Sequence, residues 1–230
     1  MAFEFIKSSC VVVGTFNIYV VQPSLLTALN IVHPEKGDKI HFLTNLTQPG
    51  FRFSSPELNA EWTVRPDRII VETTDPAKDC GADIARVLAA LKWTPVTAIG
   101  INAEYHSNEW DSPLLPMLEA WTEDGLKGTE LVAKQKTVHV AAVRKDGVFN
   151  VQMAQCNEGY DATVNVHVDA KGRGEQEATT QFIQDVASKF FDYRRDAQTL
   201  VKRLFLVELS DVIDSHQRPV ADDGNDRESA

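Results

Sequence analysis

A chain of 230 residues with 43% hydrophobic side chains is long enough to bury a sizeable core, as one large domain or two small ones. Its 33 acidic against 23 basic residues leave a formal charge of −10, which argues against generic affinity for nucleic acid but leaves room for a local basic groove. Three widely spaced cysteines, Cys10, Cys80 and Cys156, form no CxxC pair. They argue against a disulfide framework or a thiolate zinc site and point to a reducing, cytoplasmic setting.

The start, MAFEFIKSSCVVVGTF, carries a short apolar run with no basic leader and no cleavage-type end, so it reads as a first strand and not as a signal peptide. No run approaches the ~18 apolar residues of a membrane span, so no membrane association is expected. CVVVGTFNIYVV is β-branched and apolar, the pattern of a buried strand, with Gly14 as a place for a bulge. QPSLLTALNIV suits a short helix with Pro23 in its first turn. KIHFLTN and GFRFSS read as short strands around the turn-forming TQPG.

AEWTVRPDRIIVETT alternates with period 2, and Pro66 must interrupt its hydrogen-bond ladder, so it predicts two strands or one bulged edge strand. In DPAKDCGADIARVLAALKW, Ile84, Val87, Leu88 and Leu91 recur at helical spacing, with Asp75 or Asp79 as the cap. VTAIGINAEY follows as a strand that turns Ile99, Ile101 and Ala103 one way and Asn102, Glu104 and His106 the other. HSNEWDSP is a loop, and LLPMLEAWTEDG suits a short helix ending at Gly125.

Three strands then predict an antiparallel meander, with a hairpin turn at Lys145-Asp146-Gly147. The last of them alternates cleanly. Ala162, Val164, Val166 and Val168 form an apolar face, while Asp161, Thr163, Asn165, His167 and Asp169 form a polar one, as in a half-solvated antiparallel strand. From Glu175 to Leu209 there is neither Gly nor Pro, which predicts one long C-terminal helix of about 50 Å or two nearly continuous ones.

The expected fold is therefore α+β, an antiparallel or mixed sheet with helices packed on one face. A strand-then-helix block at 69–91 recurs at 162–190, which suggests two related halves. The boundaries are an N-terminal α+β half (1–112), a meander plus long helix (113–214), and a flexible acidic tail (215–230).

Phosphate-loop, dinucleotide-binding, nucleophile-elbow, HExxH, EF-hand and kinase signatures are absent, and no motif calls for a cofactor. Glu104, His106, His139 and His167 are the candidate metal ligands or acid–base groups, if their strands meet on one polar face. Arg194, Arg195, Lys202 and Arg203 make the last helix locally basic, a candidate nucleic-acid contact. Its apolar stripe broadens through Leu200, Val201, Leu204, Phe205 and Val207, a candidate interface for self-association or a protein partner.

At PVTAIGINAEY, preceded by DIARVLAALKW and followed by the meander and closing helix, the layout resembles a group of uncharacterised bacterial proteins of similar length. That resemblance implies a bacterial or phage cytoplasmic protein and supplies no catalytic residues. The expected function is a non-catalytic binding or assembly protein, working as a homo-oligomer or as a subunit of a larger complex. The alternatives are a metal-assisted hydrolase or a nucleic-acid-binding subunit.

Overall fold

The computed structural model describes residues 2–33, 39–43, 49–55, 59–109, 126–130, 136–171 and 174–209. The helix expected at LLPMLEAWTEDG and the tail at 215–230 lie outside them. In chain order the elements are β1 (Ala2–Gly14), α1 (Pro23–Ala28), β2 (Lys39–Leu43), β3 (Gly50–Ser55), β4 (Ala60–Arg65) and β5 (Arg68–Thr73). Next come α2 (Cys80–Ala90), β6 (Val96–Ser107), β7 (Thr137–Arg144), β8 (Gly147–Cys156) and β9 (Gly159–Asp169). The described residues end with α3 (Gln176–Ala187), α4 (Phe190–Phe205) and β10 (Glu208–Leu209).

Among the described residues, nine strands form one antiparallel sheet in the order β2-β3-β4-β5-β1-β6-β9-β8-β7. The two-residue β10 pairs parallel with the start of β1. The fold is α+β. From the central β1–β6 pair, the strand order runs outward as β5, β4, β3 beside β1 and as β9, β8, β7 beside β6, with β2 an additional strand beyond β3. A helix follows β5, and another follows β9.

Period-2 patterning decides which face is buried. Cys10, Val12, Ile69, Val71, Ile99, Ile101, Val151, Val164 and Val166 point to one side and are almost wholly buried. Helices α2, α3 and α4 pack over that side. Pro66 and Asp67 form the turn of the β4–β5 hairpin, so the interrupted ladder resolves into two strands. Asp79 caps α2 by accepting a hydrogen bond from the Ala82 amide at 2.9 Å. Burial raises the thiol pKa of Cys10 and pushes that of Cys80 up to about 12, so both behave as small core residues.

The C-terminal helical stretch is two helices, broken at Ser188–Lys189. Ser188 turns its hydroxyl onto the Asp185 carbonyl, and Phe190 enters the core immediately after the break. No helix of the described residues is long and apolar enough to cross a membrane.

Helix α4 is tied to the β7–β8 hairpin by polar groups. Arg144 bridges Asp146 and Asp196, and the Tyr193 hydroxyl donates to Asp146 at 2.9 Å. Burial, then the neighbouring Asp146, pushes Tyr193 up to about 12. Hydrogen bonding from Arg144 holds Asp146 below its usual value. A depressed carboxyl stabilises the fold above its unfolded pKa of about 3.9, and the contribution is lost as pH falls through the folded value. Asp146→Asn is therefore expected to lower the urea midpoint at neutral pH, with the gap to wild type closing in acid below that point.

Candidate functional site

The face of the sheet opposite the helices is polar at its centre, and antiparallel register places its side chains in rows. One row runs from Ser9 on β1 through Asn102 on β6 and Asn165 on β9 to Asn150 on β8. Cross-strand neighbours lie close enough for side chains to bond. Asn150 donates to Asn165 (3.3 Å), Asn165 donates to Asn102 (2.6 Å), and Asn102 donates to the Ser9 hydroxyl (3.0 Å). This amide ladder spans four strands in a single donor direction.

A second row holds Lys7, Glu104, Thr163, Gln152 and His139. Lys7 bridges Glu72 (3.1 Å) and Glu104 (3.4 Å), and the hydrogen bond to Glu72 is the main reason its pKa is raised. The two rows line a depression of about 230 Å³. On its other side a third row runs Val143, Val148, His167, Gly100, Val11 and Ile70, with Val143 82% exposed. The open face is thus striped, with charged, amide and largely apolar rows side by side.

The four candidate metal ligands do not converge. Glu104 and His139 share the depression but stand three strand spacings apart, about 14 Å between backbones. His167 lies two positions along β9 from Asn165, in the apolar row, and is exposed. His106 is held at the end of β6, where Nδ1 meets Asp161 at 2.8 Å and Nε2 meets Asn108 Oδ1 at 2.7 Å. The Asp161 hydrogen bond is the first cause of its raised pKa, followed by Asn108. There His106 joins a different set, since a ring nitrogen of His106, the Cys156 sulfur and an Asp161 oxygen all lie within 4.8 Å of one another. Of this set only His106 is among the sequence-based ligand candidates; Cys156, the last residue of β8, and Asp161, on the polar face of β9, are not.

The basic stripe of α4 is divided by the packing. Arg194 is 1% exposed, donates to the Pro76 carbonyl at 2.8 Å and places its guanidinium 4.5 Å from the Phe5 ring centre. A side chain so enclosed has no reach to a nucleic-acid backbone. Arg195 and Arg203 are exposed, with Arg195 beside Asp192 at 3.5 Å, and half-buried Lys202 faces Glu208 at 3.4 Å.

The broad apolar end of α4 is largely covered by its own chain. Val201, Phe205 and Val207 are buried, while Leu200 and Leu204 are half-buried against the same core. Leu206 adopts a left-handed conformation (φ 53°), which turns the chain back so that β10 runs beside β1. Within 200–209 only Leu206 is a large exposed hydrophobic residue, at 70%.

Compared with known proteins, the chain matches no family model and no curated sequence.

Proposed function

We propose that this is a non-catalytic binding or assembly protein that presents the open face of its sheet to a protein partner, as a homo-oligomer or as a subunit of a larger complex. The observation that carries this reading is the striped face. The amide ladder from Asn150 to Ser9 has its donors and acceptors already ordered, next to a row containing exposed Val143 and partly exposed Val148, Val11 and Ile70. An apolar strip flanked by pre-organised polar groups suits a protein surface, where apolar contact supplies attraction and ordered amides fix register. Glu104 and His139 are too far apart at the backbone to act on one reacting atom, which weakens the hydrolase reading for this face. The burial of Arg194 removes the centre of the basic cluster and weakens the nucleic-acid reading.

The matching strand order on either side of β1–β6 supports the further reading that the chain is a duplicated α+β unit whose copies meet at that seam.

The test is light scattering combined with recovery of bound partners from the native cell, using wild type and the double variant Val143→Arg/Gln152→Arg. Both positions point out of the open face, so the fold should survive and circular dichroism should be unchanged. Loss of self-association or of a specific partner in the variant is the expected result. A wild-type protein that is monomeric at micromolar concentration and recovers the same partners as the variant would sink the reading.

A further inference from the structure

We propose that His106, Cys156 and Asp161 form a binding site for a zinc-class divalent cation, where the β8–β9 hairpin closes onto the end of β6. The site does not depend on what the open face binds. Three donors of different kinds converge from three strands. His106 and Asp161 are cross-strand partners on β6 and β9, and Cys156 ends β8 opposite Gly159.

The backbone holds this arrangement in place. Gly159 has φ 138°, and a Cβ there would lie 1.9 Å from the Ser107 carbonyl oxygen. Only glycine lets the hairpin approach the end of β6 so closely, and that approach brings Cys156 and Asp161 to His106.

The hydrogen bonds already have the form of a ligand set with an outer partner. With Nε2–H donated to Asn108 Oδ1, Nδ1 is the nitrogen turned toward Asp161. Metal-binding histidines use one nitrogen on the ion and donate the other N–H to an oxygen that fixes the tautomer, the position Asn108 occupies. Zinc bonds of about 2.0 Å to nitrogen or oxygen and 2.3 Å to sulfur put tetrahedral ligands roughly 3.3–3.5 Å apart. The three donor atoms, all within 4.8 Å of one another, reach that spacing by side-chain adjustment alone. All three residues are half-buried, so the site is open to an incoming ion and to a fourth, solvent ligand.

A thiolate–imidazole–carboxylate set favours zinc over magnesium or calcium, which take oxygen ligands. On binding, the Cys156 thiol and the Nδ1–H that faces Asp161 each release a proton to solvent, which frees the sulfur, Nδ1 and the Asp161 oxygen for the ion.

The experiment uses the full chain freed of metal by a chelator and then titrated with Zn²⁺ against a chromophoric competitor. In parallel, Co²⁺ serves as a spectroscopic probe of thiolate ligation. The expected result is one ion per chain, with a thiolate-to-cobalt charge-transfer band. Cys156→Ser should abolish the band, and His106→Ala should weaken zinc binding by more than about 100-fold. Asn108→Ala, which removes only the outer partner, should weaken it by roughly 10-fold. Cys80→Ser, remote from the site, should leave the band intact. Circular dichroism checks that each variant is folded, and should His106→Ala fail to fold, His106→Gln takes its place. Absence of stoichiometric binding, or a band that survives Cys156→Ser, would overturn the proposal.

Discussion

Replacing Arg194 by alanine is expected to lower the stability of the fold by about 3 kcal/mol, read as a shift of the urea midpoint at unchanged slope. Arg194 is enclosed between α4, β1 and the loop leading into α2, with 1% of its surface exposed. Its Nη1 donates to the Pro76 carbonyl at 2.8 Å, and its guanidinium sits over Phe5 at 4.5 Å. A hydrogen bond from a charged group contributes roughly 1.5–3 kcal/mol, and a desolvated cation–π contact contributes about 2. Against these stands the cost of taking the charge out of water, which its removal relieves. The net of these terms, together with the lost packing of the side-chain stem, gives the figure above.

Arg194→Met keeps most of the stem volume and should cost about half as much. For a chain of this size, 3 kcal/mol corresponds to a fall in Tm of about 6–12 °C. If both variants unfold within about 0.5 kcal/mol of wild type, Arg194 behaves as a surface residue and the packing described here is wrong.

Gly81→Ala is expected to destabilise by about 2–4 kcal/mol, opposite in sign to the roughly 0.5–1 kcal/mol that alanine usually gains over glycine in a helix. The glycine is there for close approach, since its backbone has no unusual φ. A Cβ at this position would lie 2.1 Å from the Ala187 carbonyl oxygen and 2.4 Å from the Phe190 Cβ, at the junction of α3 and α4. Neither atom is the end of a flexible chain, so α2 as a whole must shift. That shift opens the layer in which Ile84, Val87 and Leu88 are buried.

Gly100→Ala on the open face is the control. A Cβ there meets Asn165 Nδ2 at 3.4 Å and has room, so stability should change by less than about 1 kcal/mol. Thermal unfolding of the two variants side by side decides the matter. A Gly81→Ala protein as stable as wild type would mean that α2 does not seat against the α3–α4 junction as described.

The sequence by itself determined most elements and their faces, although the first strand ends at Gly14 and not at Val21, and the last helix ends at Phe205, with Glu208–Leu209 a strand where a helix was expected. Alternation in VTAIGINAEY and YDATVNVHVDA assigned Ile99, Ile101, Val164 and Val166 inward and Asn102, Glu104 and Asn165 outward, and the structure places them so. Helical spacing located α2 and left Asp75 or Asp79 as its cap, of which the structure uses Asp79, and the dipeptide Asp146-Gly147 located the β7–β8 hairpin. These features were legible because side-chain periodicity and turn chemistry are local properties.

The order of the strands is not local, and tertiary structure alone decided what depends on it. The ladder joins Asn102 to Ser9 across 93 positions and to Asn165 across 63. Cys156 meets His106 only because β8 and β9 fold back beside β6. The basic stripe of α4 read as one surface in the sequence, but it was split when the helix rotated Arg194 toward β1. Likewise the broad apolar end of α4 is covered because Leu206 reverses the chain and β10 docks beside Ala2 and Phe3. Each outcome rests on contacts between residues far apart in the chain, which periodicity along a single element does not encode.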